Sequence, residues 1–253
     1  MSGIDLRILS TEEQRRYQKT SAAAYGVVSE IHHMDFMFQY IARHMSSLEE
    51  AVTQYFVRGD AWAAKVAPVL SERLDAVRGR RPRVLEFASG YGRVTRHLKS
   101  YLSHVDIVAS DVHGTAMQFV GALMDVRCVL SCNVPALANL EGPYDAIAAL
   151  SFFSHMPDWT FGLWLAKLAG AIEKGGRLIF TTHGAQEATL PGGHAFRYES
   201  EQGDLDPTDY GAMWVTRSYV EECLRKHGIE GKLKHYPNDW FGAQDTYILD
   251  LVG

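Results

Sequence analysis

Two histidines, His155 and His183, lie at or just past the ends of two apolar, strand-like runs, DAIAALS (145–151) and RLIFTTH (177–183). Side chains at the carboxyl ends of strands collect at the ligand crevice of an open α/β sheet. Imidazole suits proton transfer at neutral pH, so both are candidates for a general base or a substrate contact. Upstream, Glu86 lies in the run RVLEF (83–87), a small-residue turn with Gly90 and Gly92 follows, and Asp111 follows the next run, VDIVAS (105–110). Glycines between a strand and a helix aim backbone N–H groups and a helix N-terminus at the sheet edge. A carboxylate about 20 residues further on is placed to accept the hydroxyls of an adenosine ribose. Glycine can also serve only to reverse the chain, but the turn and the acid together favour an adenosine-containing cofactor over a bare corner. A dinucleotide fingerprint wants a third glycine where Thr95 stands, and the Glu86 carboxylate repels a pyrophosphate but attracts an ammonium.

The segment EFASGYG (86–92) resembles motif I of the class I S-adenosylmethionine (SAM)-dependent methyltransferases, with Glu86 as the acid and Gly90 and Gly92 as the second and third glycines. Ala88 stands where the first glycine is expected. The resemblance implies SAM as cofactor, S-adenosylhomocysteine as product, and a Rossmann-like α/β fold: a seven-stranded, mostly parallel sheet with a reversed C-terminal β-hairpin. It implies a ribose site at Asp111 and Val112. Asn133 and Val134, in SCNVPAL, fall near the adenine, where an acid is commoner. Ser151 and Phe152 of SFFSHMPDW would line the pocket, with His155 close to the transfer site. Arg93 is placed either to meet the cofactor carboxylate through a charge-assisted hydrogen bond or to face solvent at a helix start. The likeness spans residues 83–252. A narrower one, in SFFSHMP, FTTHG, GYGRVTRHL and QDTYIL, is to methyltransferases that modify sugars or accompany glycosyltransferases.

These residues need elements to hold them. Apolar runs at 83–87, 105–110, 127–131, 145–151 and 177–183 read as parallel strands covered on both faces, alternating with helices at 94–102, 114–124 and 159–172. Residues 184–213 carry Gly, Pro and acids without periodicity, as a lid or substrate loop does, and Phe196, Tyr198, Tyr210 and Trp214 in and after it are candidates for an acceptor pocket. Ser218 and Glu221 have capping-box spacing, with Gly228 as the closing glycine. Strands at 232–236 and 245–252 fit an antiparallel hairpin. Residues 1–80 read as a helical segment, a packed layer or a cap, with Asp60 capping a helix from residue 61, and residues 81–253 as the SAM-binding domain. Tyr17 and Tyr25 in that segment either cover the cofactor or pack in a core.

The chain has 253 residues, a formal charge of −5 and three cysteines, Cys128, Cys132 and Cys223. It can bury a core without covalent staples, and the cysteines read as buried thiols of a reducing, cytoplasmic setting. No His or Cys spacing suits a metal. The acidic balance disfavours a nucleic-acid partner, no apolar run spans a bilayer, and a homodimer is compatible with all of this. DNA amine methylation is disfavoured because SFFSHMP stands where an Asn/Asp-Pro-Pro-aromatic motif belongs. The leading expectation is therefore methyl transfer to a small molecule, at oxygen. An NAD(P)-binding oxidoreductase and a catalytically silent SAM-binding scaffold are the alternatives.

Overall fold

A computed structural model describes residues 11–199 and 205–253; residues 1–10 of the N-terminal segment and 200–204 of the long loop lie outside that description. Strands β1 (Arg83–Phe87), β2 (Asp106–Asp111), β3 (Arg127–Leu130), β4 (Tyr144–Ala149) and β5 (Ile172–Gly184) form a parallel sheet in the order β3-β2-β1-β4-β5. The next neighbour is β9 (Gln244–Leu251), antiparallel to β5 and to the outer β8 (Gly231–Trp240). These seven strands are the expected mostly parallel sheet with its reversed hairpin, which two further short strands extend to nine. β4 is buried at every residue, because helices cover both faces of a central strand; its one charged side chain, Asp145, near the strand start, accepts from the Arg80 guanidinium and Arg83 N.

Helix α6 (Asp158–Ala169) and helix α7 (Arg217–Lys226) pack on one face, where Leu85, Phe87, Ile147, Leu178 and Phe180 meet Phe161, Trp164 and Leu165. On the other face α3 (Leu48–Leu74) and α4 (Thr95–Tyr101) bury Val66, Leu70 and Leu98 against Val84, Ala146 and Ile179. Gly59 lets α3 close on the turn: a Cβ there would stand 2.5 Å from the Arg93 carbonyl oxygen. Helices α1 (Glu12–Ala23) and α2 (Phe36–His44) build a separate cluster with α3 around Phe38, Tyr55 and Phe56, and α5 (Gly114–Met124) covers β2 and β3.

Several expectations are corrected. Asp60 does not begin a helix, because the preceding residues already bury Ala51, Val52, Tyr55 and Phe56 along one stripe, and Ser47 caps α3 instead by accepting from Glu50 N. Asp60 is interior and accepts the Tyr101 hydroxyl. The cap of α7 is Thr216, which accepts from Tyr219 N, while Ser218 is bound to Glu187. Gly228 does close α7: it has φ +64°, and Ile229 N donates to Leu224 O, the pattern of a Schellman turn. The stretch 184–213 is not structureless, for β6 (His194–Arg197) pairs with β7 (Ala212–Val215), and β7 extends the tip of β5 at His183 and Gly184. Of the cysteines only Cys223 is buried; Cys128 and Cys132 are half-buried.

Candidate functional site

The turn after β1 runs through the left-handed region at three of five residues, Ala88 (φ 58°), Gly90 (φ 56°) and Gly92 (φ 77°). Ser89 N donates to Ser110 O and Ser131 N to Asp111 O, so the ladder continues past the strand ends and aligns the turn, Asp111 and the segment after β3 on one edge. Asp111 is buried; its Oδ2 accepts Gly90 N at 2.8 Å and its Oδ1 accepts His113 N at 3.0 Å and Nδ1 at 2.7 Å. The carboxylate thus holds the turn closed with lone pairs to spare, since two oxygens offer about four acceptor sites.

Glu86 and Arg93 flank the turn with opposite charges. Glu86 is 4% exposed and its Oε2 has no hydrogen-bond partner among the described residues. Burial raises its pKa to about 7, against the opposing pull of the neighbouring Thr95 hydroxyl, outside regular hydrogen-bond geometry, and of Arg93. Arg93 is 6% exposed, lies 4.3 Å over the Trp62 ring, and makes no hydrogen bond or salt bridge among the described residues. Burial lowers its pKa. A buried carboxylate with an unpartnered oxygen, and a buried guanidinium that rests on an aromatic face without a hydrogen bond among the described residues, are each costly, and together they present complementary charges for the ammonium and carboxylate of an amino acid.

Past β4 the chain turns at Ser151, a non-glycine at φ 59°. A closed polar ring holds it: Ser151 N donates to Thr181 Oγ1 (2.7 Å), Thr181 and Ser151 hydroxyls donate to Gln244 Oε1 (2.7 and 3.2 Å), Gln244 Nε2 donates to Ser154 Oγ (3.2 Å), and Ser154 Oγ donates to Ser151 O (2.6 Å). One turn on, His155 is buried, with Nδ1 2.8 Å from Gly211 O and its ring stacked on Tyr210 at 4.3 Å. A carbonyl only accepts, so Nδ1 carries the proton and Nε2 of the neutral ring keeps its lone pair. Burial pushes the pKa of His155 down to about 4. His183 lies 6.2 Å away, ring to ring, stacked on Trp214, with its pKa also lowered by burial.

The structure therefore brings Glu86, Ala88, Gly90, Gly92, Arg93, Asp111, Ser151, His155, His183, Tyr210 and Trp214 to one sheet edge. It does not gather the whole expected acceptor set there. Phe196 pairs with Met213 and packs on Trp159 and Tyr198, on the face of the β6–β7 ribbon opposite Trp214 and Arg197. Strand alternation is the cause, since neighbours in a strand point to opposite faces. Phe152 packs edge-on to Phe87 and Trp164. Tyr17 and Tyr25 join the N-terminal core, Tyr25 edge-on to His97. Val112 (38% exposed) and Val134 (42%) stand on the rim, and Asn133 Nδ2 donates to Asp209 Oδ2 at 3.0 Å. Trp62, His113, Thr181, Asp209 and Gln244 were not expected. Only His113, two residues from Asp111, carried a local signal.

No curated protein matches the sequence. Among solved structures, CalS10, an amino pentose methyltransferase from Micromonospora echinaspora with SAM bound, is similar at 15% identity and a TM-score of 0.57, over 79% of this chain and 97% of that one. The 1,6-didemethyltoxoflavin-N1-methyltransferase of Burkholderia thailandensis matches at 15% identity and a TM-score of 0.53, over 90% and 94% of the two chains. The sugar N-methyltransferase KedS8 from Streptoalloteichus sp ATCC 53650 matches at 16% and 0.54, over 79% and 92%. At these identities the likeness is one of fold. A methyltransferase-domain family model matches residues 57–231, which removes the oxidoreductase alternative. The chain belongs to that methyltransferase-domain family, of the class I SAM-dependent type.

Proposed function

We propose that the protein transfers the methyl group of SAM to a small-molecule acceptor, with Glu86 and Arg93 holding the amino-acid end of the cofactor and Asp111 its ribose. The observation that carries this reading is the pair of buried, unpaired and opposite charges beside a glycine turn. A zwitterion satisfies both, whereas a pyrophosphate would meet the Glu86 carboxylate. Bound there, the sulfonium supplies an electrophilic methyl group and needs no metal or covalent intermediate. The task left to the protein is to place a nucleophile in line, worth several kcal/mol.

His155 Nε2 is the acceptor that faces this task. In the leading reading it takes a hydrogen bond from an attacking hydroxyl. A second reading, an amine nucleophile, is favoured by the low pKa of His155, about 4, and by the lack of any carboxylate bound to it among the described residues. Such an imidazole orients a neutral amine well and stabilises a transferred proton poorly. CalS10 is an amino pentose methyltransferase and KedS8 a sugar N-methyltransferase, which supports testing sugars first.

The experiment is methyl release from SAM to a panel of sugars, amino sugars and phenols, followed by a pH profile at saturating SAM. With a hydroxyl acceptor the rate stays level from pH 8 to about pH 5, because the base is neutral throughout. With an amine it climbs toward the acceptor's own pKa. His155→Phe should lower kcat by about 100-fold and leave SAM affinity unchanged. Binding without methyl release on any acceptor would favour the silent scaffold.

A further inference from the structure

We infer that Asp209, on the strap from residue 205 to 211, reads the adenine of the cofactor, so that adenine recognition is supplied across the cleft and not by the strand edge alone. The inference rests on the SAM reading above. β3 ends at Leu130, paired with Asp111, and Ser131 N donates to Asp111 O at 2.9 Å. Asn133 therefore stands just beyond the acid assigned to the ribose, with Val112 and Val134 exposed beside it as apolar flanks for a flat base.

Asn133 is neutral, and the charge at this rim arrives from far along the chain: Asn133 Nδ2 donates to Asp209 Oδ2 at 3.0 Å. Asp209 Oδ1, the second Nδ2 hydrogen of Asn133 and its Oδ1 make no hydrogen bond among the described residues. The strap that carries Asp209 is well tied. Asp206 O accepts from Asp209 N (3.0 Å) and Tyr210 N (2.9 Å), and the Asp206 carboxylate accepts from Thr208 N and Oγ1. Two residues on, Gly211 is bonded to His155 through both its N–H and its carbonyl, and Met213 N donates to Ser154 O. Asp209 is thereby held at a set offset from the transfer histidine, and its bond to Asn133 ties the segment after β3 to the strap bound to the segment after β4.

The polar edge of adenine offers an N6 amine donor beside an N1 acceptor. A carboxylate that only accepts, next to an amide with a spare N–H, is the complementary pattern. A 6-oxopurine inverts both positions and meets the Asp209 carboxylate with an oxygen. Asp209 is thus a specificity residue for the purine, placed by the same strap that orients His155.

The test is calorimetric binding of S-adenosylhomocysteine and of S-inosylhomocysteine, its 6-oxo counterpart, to the full chain and to Asp209→Ala. We expect the wild type to prefer the adenosyl ligand, and the variant to lose roughly tenfold in affinity for it while its affinity for the inosyl ligand changes by less than about twofold. Asp209→Asn, whose amide can also donate, should narrow the preference. Equal losses for both ligands would make Asp209 an anchor of the strap only and overturn the inference, as would no change. Unaltered thermal unfolding of the variants confirms that they fold. A wild type that binds neither ligand would overturn the SAM reading, and this inference with it, a result distinct from tight binding that ignores Asp209.

Discussion

Glu86 is a carboxyl group whose pKa burial raises from 4.5 to about 7. Its protonated form is favoured on folding, so the stability it contributes is full below about pH 4.5 and is lost as pH rises through 7, about 3 kcal/mol at 1.36 kcal/mol per unit. A bound ammonium reverses the preference by stabilising the carboxylate. The affinity for S-adenosylhomocysteine should therefore weaken as pH falls from 8 to 6, with a proton released on binding. Glu86→Gln should raise the melting temperature of the free protein at pH 8, weaken binding by roughly tenfold or more, and flatten its pH dependence; a thermal scan checks the first and titration calorimetry between pH 6 and 8 the other two, with two buffers of different ionisation enthalpy reporting the released proton. Ala88 poses a different question. Its φ of 58° shows why glycine is expected there, a matter of backbone conformation more than of room for the cofactor. Left-handed backbone costs a non-glycine roughly 1–2 kcal/mol, partly offset by the greater unfolded-state entropy of glycine. Ala88→Gly should stabilise the fold by about 0.5–1 kcal/mol in denaturant titration and preserve binding.

At the scale of elements, the ring through Ser151, Ser154, Thr181 and Gln244 joins the end of β4 to β5 and β9. Most of its hydrogen bonds join segments far apart in the chain at buried or partly buried positions, where a lost partner leaves a polar group unsatisfied. Thr181→Val keeps the shape but strands Ser151 N–H and leaves Gln244 Oε1 with the Ser151 hydroxyl as its one remaining donor in the ring. It should cost about 1–3 kcal/mol in thermal unfolding, and it should lower kcat more than it raises the KM for SAM, because the displaced loop carries His155 and not Asp111. A β9 strand that merely completed the sheet would show the stability loss without the kcat effect.

At the scale of the molecule, Arg96 joins the N-terminal helices to the glycine turn. It is 3% exposed, and its guanidinium donates to Gly92 O, Val28 O, Glu30 O, Tyr91 O and the Tyr55 hydroxyl. All of these acceptors are neutral, so the residue serves as a geometric junction between the connection after α1, helix α3 and motif I. Arg96→Ala should cost about 2–4 kcal/mol, the sum of several charge-assisted hydrogen bonds less their desolvation. Amide exchange around residues 24–35 should rise well before global unfolding, and uniform loss of protection across the sheet would instead indicate a purely global role.

Local patterns were enough for the parallel strands, the antiparallel terminal hairpin and the glycine turn, and for setting Asp111, His155 and His183 at or past strand ends, because continuous apolar runs and strand–turn–helix spacing are decided by residues near one another in the chain. What touches what across the sheet edge was beyond such reading. Phe196 and Trp214 are both aromatic and nearly adjacent, yet pairing of β6 with β7 sends them to opposite faces. The helix from Ser47 passes through Asp60 because its buried stripe was already continuous. Gln244, Trp62 and Asp209 reach the site only through contacts between distant segments, as in the bond from Asn133 to Asp209. The sequence by itself determined the family and the residues that can carry charge or protons. Only the tertiary structure decided which of those charges are buried without partners, and that is a property of desolvation by the surrounding chain, which no local pattern contains.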